Sequence, residues 1–351
     1  MQSIQRILLS RMKFIGDIVL TTPVIKAVRE QYPDAYIAYL GDKQAVSLLE
    51  NNPHLNEIIP YDFSKPSILE SLHVIRHLRK RKFDVVVDLF CNPRTALVMY
   101  GSGARIRIGK KVEGRGKLYT HQIEDSLTPK TAIQFHYQYV EPLGVKPTQF
   151  KTEIFLTDLE QREAKRFLTW QFETDESYNA QTPRPIIGIN PGATWPAKKW
   201  MKDRFAGLAY LLVNNLNADV VLMQGPKDGN LAEEVAKQSL AHVSVLPQMG
   251  LRQLAAVLSQ ISLFITNDNG TMHMATAVGT RTIGIFGPGE DNIWFPYSAS
   301  DGNIALRKDV PCHPCHLDFC NREGEGFMEC MKLLSVDEVF QQAKEILNSK
   351  Q

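Results

Sequence analysis

The chain has 351 residues, of which 44% are hydrophobic and 22% are charged, and its formal net charge is +2. These values are ordinary for a soluble globular protein of two domains, and the small net charge does not favour a nucleic-acid-binding protein. No apolar run is long enough to cross a bilayer, and the N-terminal stretch lacks the apolar core of a signal peptide, so we expect a cytoplasmic protein.

Short apolar runs alternate with helix-like runs through the first half of the chain. The runs at 6–10, 35–40 and 83–90 are bounded by polar loops, as is typical of buried strands. Strands that are separated by helices imply a parallel sheet. We therefore predict an N-terminal Rossmann-like domain over residues 1–172.

A polar stretch with two prolines, residues 173–185, is predicted to be the interdomain linker. The remainder, residues 186–351, repeats the alternation in five strand–helix units and is predicted to be a second Rossmann-like domain. The fold class is therefore α/β, with two Rossmann-like domains that face each other across a cleft. In such folds, ligands bind at the carboxyl ends of the strands.

The segment ISLFITNDNGTMHMATAVGT, residues 261–280, predicts a buried strand, a tight polar loop and then a helix. Thr271 is the expected N-cap of this helix and Gly279 the expected C-cap. A helix that begins directly above a strand end presents backbone N–H groups and partial positive charge. This arrangement indicates an anion site, and a diphosphate is the expected guest.

Three other loops after predicted strands also carry unusual residues: MKFIGD, PGATWPAKKW and QGPKDG. The chain contains neither a P-loop motif nor a D-x-D pair, which argues against a metal clamp made by two close aspartates. A helix N-terminus with one or two lysines can instead stabilise a departing diphosphate without metal. We therefore expect no cofactor to be required for catalysis.

Three blocks of the chain resemble the signatures of glycosyltransferase family nine, the lipopolysaccharide heptosyltransferases. They are ILLSRMKFIGDIVLTTPVIKAVREQYPDAYIAYL, INPGATWPAKKWMKDRFAGLA, and the residue 261–280 segment followed by GIFGPGEDNIWFPYS. The resemblance implies a GT-B fold, an inverting mechanism and an ADP-heptose-type donor. It also implies a lipid-linked inner-core oligosaccharide as acceptor, with peripheral contact at the cytoplasmic face of the inner membrane and no nucleic-acid partner.

The resemblance also implies roles for individual residues. Asp17 matches the general base, and Lys198 matches the lysine that contacts the donor diphosphate, with Lys199 as a neighbour that could substitute. The other residues assigned to the donor site are Thr194, Gly225, Asp268, Asn269, Gly270, Thr271 and His273. Where the family can carry a glutamate for the ribose, this chain has Lys227 beside Asp228, so the nucleoside contacts stay open. Asp17 could also simply cap its helix, and His273 could be a buried structural histidine.

Basic residues in the first half are candidates for binding an acidic, phosphate-bearing acceptor. The segment RIRIGKKVEGRGK, residues 105–117, follows a predicted strand and could face such an acceptor or an anionic membrane surface. The acceptor candidates are Arg94, Arg107, Lys110 and Lys111. The alternative is that these charges only maintain solubility.

Four cysteines near the C-terminus follow the pattern C-x2-C-x4-C-x9-C: Cys312, Cys315, Cys320 and Cys330. The first spacing suits a structural zinc site, but the later ones are not those of a common zinc finger. The sequence therefore leaves two interpretations, a structural zinc or reduced buried thiols.

The function that follows is transfer of a heptose from ADP-heptose to a lipopolysaccharide inner-core acceptor. One alternative is a family member that uses a different nucleotide sugar. Another is a catalytically silent protein that binds sugar nucleotides or lipids. The presence of Asp17 favours an enzyme, because the attacking hydroxyl needs a base.

Overall fold

The structure is a computed structural model that describes residues 4–124, 130–148, 150–172 and 184–349. The chain divides into two compact units, residues 1–155 and residues 156–351. No helix in the described part of the chain is long and apolar enough to cross a membrane.

The first unit is built on a parallel six-stranded sheet with the order β3-β2-β1-β4-β5-β6. Its strands are β1 (Arg6–Arg11), β2 (Tyr36–Asp42), β3 (Glu57–Tyr61), β4 (Val85–Asp88), β5 (Ile106–Lys110) and β6 (His121–Ile123). Its helices are α1 (Ile15–Val19), α2 (Thr22–Gln31), α3 (Ser67–Arg81), α4 (Pro93–Gly101) and α5 (Ala132–Tyr137), with short 3₁₀ turns at Ala45–Leu49, Arg115–Leu118 and Glu141–Leu143. β1 and β4 are central and buried, because both faces of a parallel sheet are covered by helices.

The second unit has a parallel sheet of the same kind, with the order β12-β11-β10-β7-β8-β9. Its strands are β7 (Ile186–Asn190), β8 (Asp219–Leu222), β9 (Val243–Val245), β10 (Leu263–Asn267), β11 (Thr282–Ile285) and β12 (Ile304–Leu306). Its longer helices are α6 (Asp158–Phe172), α7 (Lys202–Leu216), α8 (Leu231–Ser239), α9 (Leu251–Leu258), α10 (Gly270–Ala277) and α13 (Val336–Asn348). The short ones are α11 (Asp291–Trp294) and α12 (Glu329–Lys332), with 3₁₀ turns at Pro196–Lys198, Ala299–Asp301 and Gly324–Gly326.

Each sheet has the strand order of a Rossmann fold. Its first three strands in the chain lie in sequence on one side of the sheet, and its last three lie in sequence on the other side. The predicted α/β class with two Rossmann-like halves is therefore confirmed. The reversal lies between β1 and β4 in the first unit and between β7 and β10 in the second. Loops that leave the carboxyl ends of these strand pairs stand at the positions where such folds bind ligands.

The boundary between the units differs from the one predicted at residue 172. Helix α6 belongs to the second unit, where the Arg252 guanidinium donates to both carboxylate oxygens of Glu160, at 2.6 and 2.7 Å. This bidentate pair holds α6 against α9, whereas the sequence pattern grouped α6 with the strands before it. Most of the predicted linker, residues 173–183, lies outside the described residues.

Candidate functional site

The N-terminus of α10 is capped by Asn269. The prediction of Thr271 as the N-cap was therefore wrong. The Asn269 side-chain oxygen accepts from the backbone N–H groups of Thr271 and Met272, at 3.0 and 3.3 Å, and from the Thr271 hydroxyl at 2.7 Å. The helix ends at Ala277, and Gly279 lies just beyond it in the left-handed region, with φ +87°. The cap therefore occupies two of the first-turn N–H groups, while the helix dipole still favours an anion at this end.

Two further asparagines, which sequence reasoning missed, hold neighbouring loops against this helix start. Asn190 ends β7 and donates to the Thr271 hydroxyl at 3.1 Å, and Asn267 ends β10 and accepts from the Trp200 backbone N–H at 3.0 Å. The Asn269 amide donates in turn to the Gly192 carbonyl at 2.9 Å. These bonds fix the loop after β7 on the loop after β10. The available signal was an asparagine at the last position of each of two otherwise apolar strands.

Lys198 lies in the loop after β7, and its charge meets a buried carboxylate. Its Nζ lies 2.5 Å from Oδ2 of Asp268 and 4.5 Å from the centre of the Trp195 ring, and the lysine side chain is 18% exposed. Gly289 packs on this pair, because a Cβ there would lie 3.0 Å from the same Asp268 oxygen. The ammonium is thus held near the surface of the site with one anionic partner. Thr194, in the same loop, is exposed.

His273 is buried in the first turn region of α10 and is neutral at physiological pH. Burial, followed by the positive charge of Lys198, lowers the pKa of His273 to about 3. Its Nδ1 lies 2.7 Å from the Tyr297 hydroxyl, with which it forms a hydrogen bond. A neutral imidazole keeps one N–H donor and one acceptor, so the Tyr297 bond fixes the ring orientation.

Lys199 and Asp228 form a second, weaker pair beside the first. The Lys199 Nζ lies 3.5 Å from Oδ1 of Asp228, while Oδ2 of Asp228 accepts from the Gly225 backbone N–H at 2.8 Å. Gly192 allows this approach, because a Cβ on it would lie 2.1 Å from Oδ2 of Asp228. The adjacent Lys227 is exposed, so the carboxylate that faces the loop after β7 is that of Asp228.

The cysteine-rich segment, residues 312–330, contacts the same loops through its backbone and a histidine. The Ala197 N–H donates to the Asp318 carbonyl at 3.0 Å, and His313 Nε2 is 2.9 Å from the Gly289 carbonyl oxygen. Burial raises the pKa of the Cys330 thiol to about 11, with a further contribution from the neighbouring cysteines.

In the described part of the chain, no three histidine, cysteine or acidic side chains form a group that could hold a metal ion. The four cysteines are all free. The predicted structural zinc at Cys312, Cys315, Cys320 and Cys330 is therefore not supported. The segment braces the loops that carry Lys198 and Gly289 by hydrogen bonds instead.

In the first unit, Asp17 lies in α1, directly after β1, and both of its carboxylate oxygens have partners. Oδ1 forms an ion pair with the Arg11 guanidinium, and Oδ2 accepts from the Phe14 backbone N–H at 3.1 Å. Arg11 also donates to the Leu89 carbonyl at 2.7 Å, and its guanidinium stacks 5.0 Å from the Phe90 ring centre. These contacts fix the position of the carboxylate, and the bond from the Phe14 N–H makes Asp17 the N3 residue of a capping box at the start of α1.

Asp88, which sequence reasoning also missed, supports the loop after β4. It is fully buried and accepts from the backbone N–H groups of Phe90 and Cys91, at 3.0 and 2.9 Å, and from the Tyr119 hydroxyl at 2.7 Å. Burial raises the pKa of Asp88, and these three donors oppose the shift. The loop they fix leads into α4, so this polar strand end resembles Asn190 and Asn267 in role.

The four predicted acceptor-binding cations lie in different surroundings. Arg94 stands at the start of α4, with its guanidinium 5.4 Å from the Phe63 ring centre, and Lys110 ends β5. Lys111 forms an ion pair with Glu124. Arg107 donates to the carbonyls of Ala104 and Leu118 at 2.7 and 2.8 Å, so its guanidinium is used within the fold.

Each unit thus carries its own cluster of polar groups at the carboxyl ends of its central strands. The second unit has a lysine ammonium, a helix dipole and a neutral imidazole, which together suit a phosphate-bearing leaving group. The first unit has a carboxylate held in place by Arg11 and the Phe14 N–H, which suits proton abstraction from a hydroxyl.

The family model described as glycosyltransferase family 9 (heptosyltransferase) matches residues 71–323. Lipopolysaccharide heptosyltransferase 3 of Escherichia coli is 27% identical, over 82% of this chain and 85% of that protein. Among solved structures, the glycosyl transferase family 9 protein of Veillonella parvula superposes with a TM-score of 0.84 at 25% identity, covering 98% of this chain and 97% of that one. E. coli ADP-heptose lps heptosyltransferase II superposes with a TM-score of 0.75 at 22% identity, covering 98% of both chains. The fold is therefore of the GT-B type.

Proposed function

We propose that this chain, which belongs to glycosyltransferase family 9, moves a heptose from ADP-heptose to a lipopolysaccharide inner-core acceptor. The observation that carries the proposal is the Lys198–Asp268 ion pair beside neutral His273, at the start of α10. This site provides a cation and a helix dipole for a diphosphate. One of the similar solved structures is named as an ADP-heptose heptosyltransferase, which supports ADP-heptose as the donor.

Donor binding would change the partner of Lys198. In the free protein, its ammonium is paired with Asp268, and a diphosphate that enters beside it would share that charge. As the bond between the sugar and the diphosphate breaks, negative charge grows on the leaving phosphate. Lys198, the α10 dipole and a His273 N–H stabilise that charge, so the proposal needs no metal ion. Thr194, Lys199, Gly225, Asn269, Gly270 and Thr271 remain proposed donor-site residues.

Asp17 is the proposed general base. The acceptor hydroxyl attacks the anomeric carbon, its proton passes to the Asp17 carboxylate, and ADP leaves with the electrons of the broken bond. This single displacement inverts the anomeric configuration. Arg11 and the Phe14 N–H hold the carboxylate in place, and general base catalysis of this kind typically contributes about 10²–10⁴-fold in rate.

The acceptor is proposed to be anionic and lipid-linked. Arg94, Lys110 and Lys111 lie at the carboxyl edge of the first sheet, where they could meet acidic groups of a core oligosaccharide. Arg107 is the weakest of the four candidates, because its guanidinium already serves backbone carbonyls. Since such an acceptor is anchored by its lipid, we include peripheral action at the cytoplasmic face of the inner membrane in the proposal.

Two measurements test this function. Melting shifts with a panel of nucleoside diphosphates in EDTA should be largest with ADP, because at equal concentration the ligand that binds most tightly stabilises the folded state most. Transfer from ADP-heptose to an inner-core acceptor should proceed in the same buffer. Transfer only from another nucleotide sugar would replace the donor, and ADP binding without any transfer would indicate a silent binding protein.

A further inference from the structure

A groove lined mainly by apolar side chains lies between α3 and α4 in the first unit, and Arg94 is the only residue of its lining that the proposed function has used so far. Its volume is about 920 Å³, which is within the range of small-molecule pockets. Phe63, Ile75 and Phe90 are half-buried along it, and Ile68, Leu72 and Leu97 are exposed. We call these six residues and the space between them the α3–α4 groove.

Helix α3 carries two apolar stripes, of which one is fully buried and the other is largely exposed, with only Ile75 of the second packed against the core. Val74 and Leu78 are fully buried and face the core. Ile68, Leu72 and Ile75 repeat at helical spacing on another face, and Ile68 is 74% exposed. Leu97 on α4, which is 58% exposed, lies on the opposite side of the groove. Contiguous exposed apolar surface of this kind marks a binding site.

The charges in the groove have one sign. Lys13 and Arg94 both line it, and the described residues that line it include no carboxylate. The Lys13 ammonium lies 4.4 Å from the Phe63 ring centre, and the Arg94 guanidinium lies 5.4 Å from the same centre. Cations that rest on an aromatic floor complement a ligand with an anionic head and an apolar tail.

The α3–α4 groove is continuous with the loop between β1 and α1, which leads into the helix that carries Asp17. Lys13 belongs to that loop, and Phe90, on the other side, stacks under Arg11, the ion-pair partner of Asp17. A ligand whose hydroxyl contacts Asp17 could therefore place an anionic group at Lys13 and Arg94 and an apolar tail in the groove.

We propose that the α3–α4 groove holds acyl chain of the lipid-linked acceptor, with an anionic headgroup at Lys13 and Arg94. This inference rests on the proposed function, because it assigns the lipid part of the same substrate. The groove is concave and continuous with the Asp17 loop, which favours a chain bound within it over general contact with a bilayer.

The first experiment localises lipid without any need for activity. Dodecyl phosphate that carries a diazirine in its chain is photo-crosslinked to the full protein below its micelle concentration, and the labelled peptides are mapped. We expect labels within Ser67–Arg81 and Pro93–Gly101, and less labelling by the uncharged analogue dodecanol. Labels spread over other surfaces, or equal labelling by dodecanol, would overturn the proposal.

The second experiment compares Leu97→Ser with Leu159→Ser, a matched control at the start of α6 with 57% exposure. With an acylated acceptor, Leu97→Ser should raise KM roughly five- to tenfold, the cost of leaving part of a leucine contact unmade. With the same oligosaccharide after removal of its acyl chains, Leu97→Ser should match the wild type. Leu159→Ser should match it with both acceptors. An equal KM increase on both acceptors would overturn the proposal.

A bilayer contact is distinguished by vesicles. If Leu97→Ser weakens binding to acceptor-free phosphatidylglycerol vesicles by the same factor by which it raises the KM, the α3–α4 groove contacts the bilayer itself, and the proposal fails. If the wild type transfers no sugar to any acceptor, the proposed function fails instead, while the crosslinking result still decides whether the α3–α4 groove takes a lipid chain.

Discussion

The two candidate sites differ in how their polar groups are arranged. In the second unit, Asn190, Asn267 and Asn269 bond to one another's loops, and Lys198 is already paired with Asp268. In the first unit, the Asp17 carboxylate lies beside cations that rest on the half-buried rings of Phe63 and Phe90. The arrangement in the second unit suits a small charged ligand of fixed shape, because a site that is already ordered before binding loses less conformational entropy and so binds more tightly.

Both sites nevertheless occupy the same place in the same fold. Each follows the central strands of a sheet with Rossmann order, and each is supported by a polar residue that ends a buried strand, such as Asp88 or Asn267. The chemical difference therefore lies in the loops and helix starts that follow the strands. Four measurements would sharpen or break this comparison, taken here from the largest expected effect to the smallest.

The largest effect is expected at the first site. Asp17→Asn keeps the size of the side chain and can still accept the Phe14 N–H, so the protein should fold and bind ADP as the wild type does. Its transfer rate with saturating substrates should fall by about 10²–10⁴-fold, because the proton acceptor is lost. Steady-state kinetics and ADP titration measure the two quantities. A rate near that of the wild type would remove Asp17 as the base.

The second effect tests the charge at the other site. Lys198→Ala should weaken ADP binding or turnover by about 1.5–3 kcal/mol, the value of a charge-assisted hydrogen bond. Lys202→Ala is the matched control, since Lys202 lies nearby in sequence but pairs on the surface with Glu234 at 2.8 Å. Calorimetric titration in EDTA measures both. Equal losses in the two variants would show that general positive charge, and not Lys198, attracts the donor.

The third effect compares a buried histidine in each unit. Burial is the main cause that lowers the pKa of both His273 and His136 to about 3, from 6.5 in the unfolded chain. The unfolded state therefore binds these protons first, and folding stability is lost as the pH falls below 6.5. At pH 5, each histidine should lower the free energy of unfolding by about 2 kcal/mol relative to its value at neutral pH.

Denaturant unfolding at pH 7 and pH 5 measures this loss. His273→Gln should reduce the pH-dependent part by about 2 kcal/mol, and His136→Gln should do the same in the other unit. An undiminished pH dependence in the His273 variant would mean that its imidazole is protonated in the folded state, contrary to the neutral donor proposed here.

The smallest effect concerns metal. Because the cysteine-rich segment is held by backbone bonds, we expect chelation to leave both the melting temperature and ADP affinity unchanged. Elemental analysis of the purified protein, with thiol titration, checks this expectation. About one bound zinc per chain, together with a lower melting temperature after chelation, would restore the zinc interpretation.

Local patterns in the sequence were enough to predict the two Rossmann-like halves, because buried strands and amphipathic helices have distinct periods. Strands β5, β6 and β12 were missed, since IRIGK, HQI and IAL are too short to show a clear pattern. The asparagine bonds between loops could not be predicted, because the loops they join are far apart in the chain. Cysteine spacing suggested zinc, whereas the fold uses that segment's backbone to brace other loops.

The cap of α10 also bears on the chemical lifetime of the protein. Asn269 is followed by glycine, the sequence in which asparagine deamidates most readily when the chain is free to bend. Here the amide is bonded at both ends, to Gly192 and Thr266 and to the first turn of α10. Conversion to aspartate would remove both donated bonds and would place a carboxylate oxygen against the Gly192 carbonyl oxygen. The rate at which Asn269 deamidates during storage therefore reports how often the start of α10 opens.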